Sequence, residues 1–539
     1  MSKCHEARNQ AREQARKEHT VRGQERKEHT VRGQERKEHT VRNQARAPLA
    51  GAIAKYAAAG TIRLHTPGHA GGQGWNAAWQ YNFSTAGAWD VTELTDLADG
   101  HSTEYWVNAA QELAAEAFGA KATFFLTGGS SLGIQAVLSA SAGPGDEVLL
   151  PRNAHQSIIH GLALCGATPR FIPVPCSPEG IPGAVTPAAL EAALRAAVRP
   201  RLVLLLSPSY QGFCPDLAAL VAVAHRAGVP VFVDEAHGAH FPFHPSFPPS
   251  AGRCGADAWV QSAHKTLGAF TGSALLHIGN GSLTPEAIRR SLQAHSSTSP
   301  SYLLMASIDE SRRIMSLEGQ ELWGQAIRHS ERIRDAISGM ADVRLADKAG
   351  MQNYGVIAQD PTRIVFGVKG LSGVQIEAAL RRCNITTEYA DDCHVCLIIP
   401  YSIPDTGVQI IISAITGLVA EVRATSPVPA VRAASAAQPA SAAKPLLIAP
   451  PLPRMVMTLR QALTAPFEEV TLAAAVGRIA AATVAFYPPG IPLVIPGEEI
   501  SAGIVEYIQE RSCQTRNFPG PAREGQIWVV AESAVKADA

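Results

Sequence analysis

The sequence lacks a net charge: Lys+Arg and Asp+Glu each number 47 in 539 residues. No global field therefore draws it to nucleic acid or an anionic membrane, and neither is expected as a partner. Long apolar runs are missing too. The greasiest stretches, residues 202–206 and 408–418, are short or interrupted by polar side chains, well under the ~20 apolar residues of a membrane helix. Charged residues are sparse at 17% while hydrophobic ones reach 46%, which excludes a chain disordered throughout. The nine cysteines are few and odd in number, and the charged stretch from Met1 to Gln10 has no apolar signal core. Both features point to reduced thiols and a cytoplasmic location. Cys393 and Cys396 form one C-x-x-C with only His394 nearby, and without a second ligand pair no metal site is expected.

At roughly 150 residues per domain the length implies three or four folding units. Residues 1–46 carry a ten-residue repeat, Lys-Glu-His-Thr-Val-Arg-Gly-Gln-Glu-Arg, starting at Lys17 and again at Lys27. A helix turns by about 1000° in ten residues, so Val21, Val31 and Val41 cannot share one apolar stripe. With 13 Lys/Arg against 7 Asp/Glu and no aromatic residue to stack on a base, this segment reads as a solvated tail, partly helical or disordered. Residues 47–306 alternate helical stretches with short apolar runs such as Phe124-Phe125-Leu126, Leu202-Val203-Leu204-Leu205-Leu206 and Val231-Phe232-Val233. That alternation predicts an α/β fold with a mainly parallel sheet buried on both faces. A smaller α/β unit follows over 307–424, then an Ala/Pro/Ser-rich linker over 425–453 and a small C-terminal unit over 454–539.

The densest chemical signal is Val231-Phe232-Val233-Asp234-Glu235-Ala236-His237-Gly238 followed by Gln261-Ser262-Ala263-His264-Lys265-Thr266. An acid at a strand end and a lysine about thirty residues later suit pyridoxal 5'-phosphate: Lys265 can bond its aldehyde, and Asp234 can keep its pyridine nitrogen protonated. Upstream, Gly128-Gly129-Ser130-Ser131 ends a strand and opens a helix, so its amides and hydroxyls can cradle a phosphate. His155 follows the next strand and can stack on the ring. Each element alone has a plainer reading as a capped strand end, a surface lysine or a turn; their order and spacing favour the cofactor site.

These motifs resemble the Orn/Lys/Arg decarboxylases of fold-type I, especially the shorter bacterial members. The resemblance spans most of residues 47–510, through Thr66-Pro67-Gly68-His69, Asp90-Val91-Thr92-Glu93-Leu94, Asp234-Glu235-Ala236-His237-Gly238-Ala239-His240, Ser262-Ala263-His264-Lys265, Ser297-Thr298-Ser299-Pro300-Ser301-Tyr302 and Tyr487-Pro488-Pro489-Gly490-Ile491-Pro492 with Pro496-Gly497-Glu498. It implies a fold-type I large domain, a smaller α/β domain and a C-terminal domain. It further implies Lys265 as the Schiff-base lysine, Asp234 as the ring-nitrogen partner, His155 as the stacking residue and Ala236 beneath the ring. Gly129, Ser130, Ser131, His237, Ser262 and His264 would surround the cofactor, with His264 as a proton donor. Thr66, His69, Glu93 and Glu498 are the candidate substrate residues, since a basic amino acid needs an acid for its distal group. The family builds its site across a homodimer or higher homo-oligomer, so Ser297 to Ser299 would reach the neighbouring subunit's phosphate.

The family usually has Lys at Ala70, Asn at Gly128, Cys at Ala154, Lys at Gln156 and Thr at Ala263, departures that bear on substrate choice and rate. The implied activity is decarboxylation of arginine, lysine or ornithine to agmatine, cadaverine or putrescine. Another fold-type I reaction such as transamination, or a degenerate non-catalytic cofactor-binding regulator, are the competing readings.

Overall fold

The structure, a computed structural model, describes residues 43–425, 452–486, 491–515, 520, 523 and 525–535. Nearly all of the repeat tail and of the Pro-rich linker, and the start of the Tyr487 motif, lie outside the described residues.

Seven strands form the central sheet: β1 (Ala122–Leu126), β2 (Glu147–Pro151), β3 (Thr168–Ile172), β4 (Pro200–Leu206), β5 (Val231–Asp234), β6 (Ala258–Gln261) and β7 (Ala274–Ile278). Their order is β1-β7-β6-β5-β4-β2-β3, parallel except for β7, which runs antiparallel to both neighbours. The apolar runs are continuous because both faces are covered. Leu202, Leu204 and Phe232 point into one core, and Leu205, Val231 and Val233 into the other. Full burial of each such side chain stabilises by about 1.5–3 kcal/mol. Helix α1 (Gly129–Ser141) starts just after β1, and helix α2 (Gln156–Cys165) starts after β2. Both helix N-termini, and the loop after β5, therefore lie at the carboxyl edge of the parallel strands, where open α/β sheets bind ligands.

Helix α3 (Tyr302–Ser338) runs 37 residues from this unit into the next. Its last turns place Ile333 and Ile337 in the core of a four-stranded antiparallel sheet made of β8 (Val343–Ala346), β9 (Arg363–Val368), β10 (Tyr389–Ala390) and β11 (Val395–Ile398), in the order β10-β11-β9-β8. Helix α4 (Asp405–Thr425) covers the same core with Val408, Ile415 and Val419. Residues 408–418 thus belong to one long helix rather than a short run. Among the described helices it alone has the length and apolarity of a membrane span.

In the C-terminal unit, Phe467–Thr471 pairs with Gln526–Val530, and Val484–Phe486 with Ile491–Val494. At the other end the fold begins before residue 47. Gln44 is buried, and Arg312 of α3 donates Nη1–H to its carbonyl at 2.7 Å.

Candidate active site

The carboxyl edge of the sheet closes over a cavity of about 260 Å³ lined by Ser130, Asn153, Ala154, His155, Leu206, Ser209, Tyr210, Gln211, Asp234, Ala236, His237, Lys265, Glu388 and Ile491. Each wall has a local cause. Asp234 is the last residue of β5, and its Oδ1 accepts the Ala236 amide at 3.2 Å, which fixes the carboxylate toward the cavity. Burial raises its pKa, opposed by the nearby His155 and Lys265. His155 is the N-cap of α2, where Nδ1 accepts the Ser157 amide at 3.2 Å. Its remaining proton therefore sits on Nε2. Lys265 lies on the short helix Ala263–Thr266 that follows β6. Its Nζ is 3.0 Å from His237 Nε2.

The residues present fit pyridoxal phosphate. The Gly129 amide at the start of α1 donates to the Gly272 carbonyl at 2.8 Å, while the N-cap Gly128 has no side chain to take the next amides, those of Ser130 and Ser131, which are left for an anion. Gly129 adopts φ +68°, a left-handed conformation that lets the chain turn from β1 into the helix. Ser262 Oγ is buried without a hydrogen-bond partner among the described residues, an unmet polar group beside Lys265. An aldehyde-reactive amine, a buried acid, a ring-sized gap beside His155 and these phosphate donors are what the cofactor requires.

Of the remaining candidate residues, Ala236, His237 and Ser130 line the cavity, whereas Gly129, Ser131, Ser262 and His264 do not. His264 commits Nδ1–H to the Ser273 carbonyl at 2.8 Å. Thr66, His69, Glu93 and Glu498 are not brought to the cavity within one chain. His69 donates Nε2–H to Asp90 at 3.1 Å, and Glu93 accepts the Thr92 hydroxyl at 2.7 Å on the exposed N-terminal arm. Glu498 needs correction as a reader of substrate. Its two oxygens take Arg152 Nη1 at 2.7 Å and Nη2 at 2.8 Å, and Oε2 also accepts the Ile495 amide. Arg152 spends Nε and Nη2 on the Pro492 and Leu493 carbonyls and stacks on Phe171. This clamp fastens the C-terminal unit, including the cavity residue Ile491, to the turn that carries His155.

Sequence reasoning missed Tyr210, Gln211 and Glu388. The first two follow β4, and the rule that ligands gather at carboxyl ends of parallel strands could have found them. Glu388 precedes an edge strand of the second unit and carries no motif. Its Oε1 accepts the Tyr210 hydroxyl at 2.6 Å, and it is the exposed acid at the cavity mouth.

Comparison with known proteins agrees with this geometry. Residues 47–360 match the Orn/Lys/Arg decarboxylase major domain, and residues 446–533 match the C-terminal domain of the same family. Arginine decarboxylase from Halalkalibacterium halodurans is 32% identical over 88% of this chain and 95% of its own. Arginine decarboxylase from Bacillus subtilis is 32% identical over 86% and 92%. The lysine decarboxylase of Francisella novicida shares the fold, with a TM-score of 0.75 at 20% identity over 91% of this chain and 82% of its own. Two domain models matched in order over most of the sequence, with relatives 32% identical over nearly their whole length, settle the assignment: the chain belongs to the Orn/Lys/Arg decarboxylase family of pyridoxal-phosphate-dependent enzymes.

Proposed function

We propose that the chain decarboxylates arginine to agmatine and CO2, with lysine and ornithine as poorer substrates. The single observation that carries this is the arrangement of one cavity with Lys265 and Asp234 inside it and the carboxylate of Glu388 at its mouth. The relatives named arginine decarboxylase, at 32–33% identity, support arginine over lysine, since the lysine decarboxylase of Pseudomonas aeruginosa is 24% identical.

Pyridoxal phosphate, when bound, supplies an electron-withdrawing ring that can take the electron pair of the breaking bond to the carboxylate. Asp234 would keep the ring nitrogen protonated, and His155 would stack on the ring and fix its plane. Lys265 would hold the cofactor covalently between turnovers. The amides of α1 with Ser130, Ser131 and Ser262 would hold the phosphate. Glu388 would pair with the distal guanidinium and so set the direction in which the amino acid enters. His237, whose Nε2 borders Lys265, is the imidazole best placed to move a proton inside the cavity; His264 is set off its lining.

A second copy of the chain is the expected partner. Ile62, Leu64 and Tyr81 on the N-terminal arm are 83%, 92% and 89% exposed, more apolar surface than a lone subunit keeps without use. Ser297 to Ser299 are exposed as well and free to meet the neighbour's phosphate. Polyamine supply in the cytoplasm is the matching cellular role.

The test is incubation of the purified protein with arginine, lysine and ornithine, with CO2 and amine product both measured and borohydride used to fix the cofactor. Arginine giving the highest kcat/KM, and the reduced cofactor mapping to Lys265, are the expected results. A different preferred amino acid would overturn the substrate, and a different labelled lysine would overturn the site.

A further inference from the structure

A buried chain of polar groups runs from Lys265 into the second unit. Arg363, the first residue of β9, is fully buried and reaches back to His237, donating Nη2–H to Nδ1 at 3.2 Å. Its Nε lies 3.4 Å from Asp360 Oδ2. The same Asp360 accepts His240 Nε2–H at 3.0 Å and the Thr362 amide and hydroxyl at 2.8 and 2.7 Å. Burial alone would raise the Asp360 carboxyl, but His240, Arg363 and Thr362 hold it well below its ordinary range, so it stays ionised and anchors Arg363. Gly212 makes room for this side chain: at φ +87°, a Cβ there would come within 2.5 Å of Arg363 Cγ.

The chemistry of the donors decides where the protons are. A guanidinium only donates and does not lose its charge. His237 Nδ1 must therefore accept from Arg363, and the ring's proton must sit on Nε2. That nitrogen faces Lys265 Nζ at 3.0 Å. Two donors cannot share one hydrogen bond, so Nζ has to be the acceptor, which only the unprotonated amine can be.

We propose that Arg363 is a positioning residue that, by fixing the tautomer of His237, holds Lys265 as the neutral amine and so keeps it ready to attack the cofactor's aldehyde. This rests on the reading of Lys265 as the cofactor lysine, and it names a determinant of its reactivity in the other unit of the chain. The groups facing Lys265 oppose one another. The amine is open to the cavity but enclosed by its walls, and that enclosure, with Arg363 from β9, disfavours the ammonium, while Asp234 from β5 and Glu388 beside β10 favour it. His155 at the start of α2 and His264 on the same short helix complete the surroundings; both are pushed toward the neutral form, chiefly by burial. Burial, then Lys265 and Arg363, likewise keep His237 far below the usual imidazole range.

The test reads the amine itself. Competitive acetylation of the cofactor-free full chain across pH, followed by mass spectrometry, gives the titration of Lys265 against exposed Lys121 in the same sample. The expected midpoint for Lys265 is at least about one pH unit below that of Lys121, a tenfold larger reactive fraction at neutral pH. Arg363→Met should move the Lys265 midpoint up by about one unit or more, because His237 can then flip its tautomer and accept from an ammonium; Arg363→Lys, which keeps a donor, should restore most of the shift. Should Arg363→Met fail to fold, His237→Leu removes the obligate donor and should raise the midpoint in the same way. A Lys265 that titrates with Lys121, or an unmoved midpoint in the variants, would overturn the proposal. Failure to decarboxylate any basic amino acid, with the midpoints as expected, would instead overturn the function and leave this inference standing.

Discussion

Replacing Glu498 by Ala should loosen the C-terminal unit and the cofactor turn together. The carboxylate is 2% exposed and its partner Arg152 is 12% exposed, so water can replace little of what is lost. Arg152 would keep the Pro492 and Leu493 carbonyls but would be left as a buried cation without a counter-charge. Breaking such a pair from one side costs about 3–5 kcal/mol. A chain of several units does not unfold in one step, so a single denaturation midpoint is the wrong reading. Hydrogen exchange is the right one, at the Ile495 amide, which Glu498 accepts, and along the helix Ala502–Thr515. A loss of 3 kcal/mol corresponds to exchange faster by about a hundredfold or more. The double variant Arg152→Met with Glu498→Met should recover much of the protection, since an apolar pair of similar size can replace a buried ion pair. Protection in Glu498→Ala within about threefold of the wild type, where the same reasoning asks for a hundredfold, would refute the clamp.

Three further outcomes follow from other contacts. Burial pushes the Glu235 carboxyl up to about 8 from an ordinary 4.5, against the pull of the Gln261 and Ala251 bonds. Its contribution to stability is complete below the unfolded value and is lost as pH rises through the folded one, at about 1.4 kcal/mol per pH unit. Hydrogen-exchange protection of the Ala251 amide, which donates to Glu235, should therefore fall between pH 6 and 8 in the wild type relative to Glu235→Gln, and parallel curves would contradict this. Glu388→Gln keeps the acceptor for Tyr210 but loses the charge. Because the group is exposed, the low end of a charge-assisted bond applies, and kcat/KM for arginine should fall about tenfold, mainly through KM; an unchanged KM would remove Glu388 from the substrate site. Deleting residues 1–42 should leave turnover and hydrogen exchange unchanged, whereas deleting residues 1–46 removes the Gln44 and Arg46 carbonyls that Arg312 binds and should speed exchange along α3 around Arg312. Equal behaviour of the two truncations would show that this contact does not support the fold.

The parts of the fold that were legible are those where one short stretch decides its own structure. The runs ending at Leu126, Leu206 and Asp234 are buried on both faces, so hydrophobicity alone marks them as strands, and the glycine-serine turn and the Lys265 segment stand out by residue type and lie where a strand gives way to a helix. Strands β6 and β7 escaped because Ala258-Trp259-Val260-Gln261 and Ala274-Leu275-Leu276-His277-Ile278 carry polar residues inward. Gln261 and His277 are fully buried there and bond each other at 3.1 Å, a pairing visible only across the sheet. The acids were hardest. Glu498 and Glu388 look alike in sequence, one after Pro-Gly and one before Tyr389, yet one is consumed by Arg152 and the other faces the cavity. What separates them is a contact across more than 300 residues of chain, beyond the reach of any local pattern.

The central claim is that the Lys265–Asp234 cavity breaks the bond to an amino acid's carboxylate, and Asp234→Asn tests it most directly. The substitution keeps the shape and the Ala236 bond but removes the charge that would hold the ring nitrogen protonated. With arginine labelled at its carboxylate carbon, release of labelled CO2 and formation of agmatine should be stoichiometric in the wild type. In Asp234→Asn, at full cofactor occupancy, loss of about 4 kcal/mol of transition-state stabilisation should slow both about a thousandfold. Unchanged release of labelled CO2 from a fully occupied Asp234→Asn protein would contradict the account.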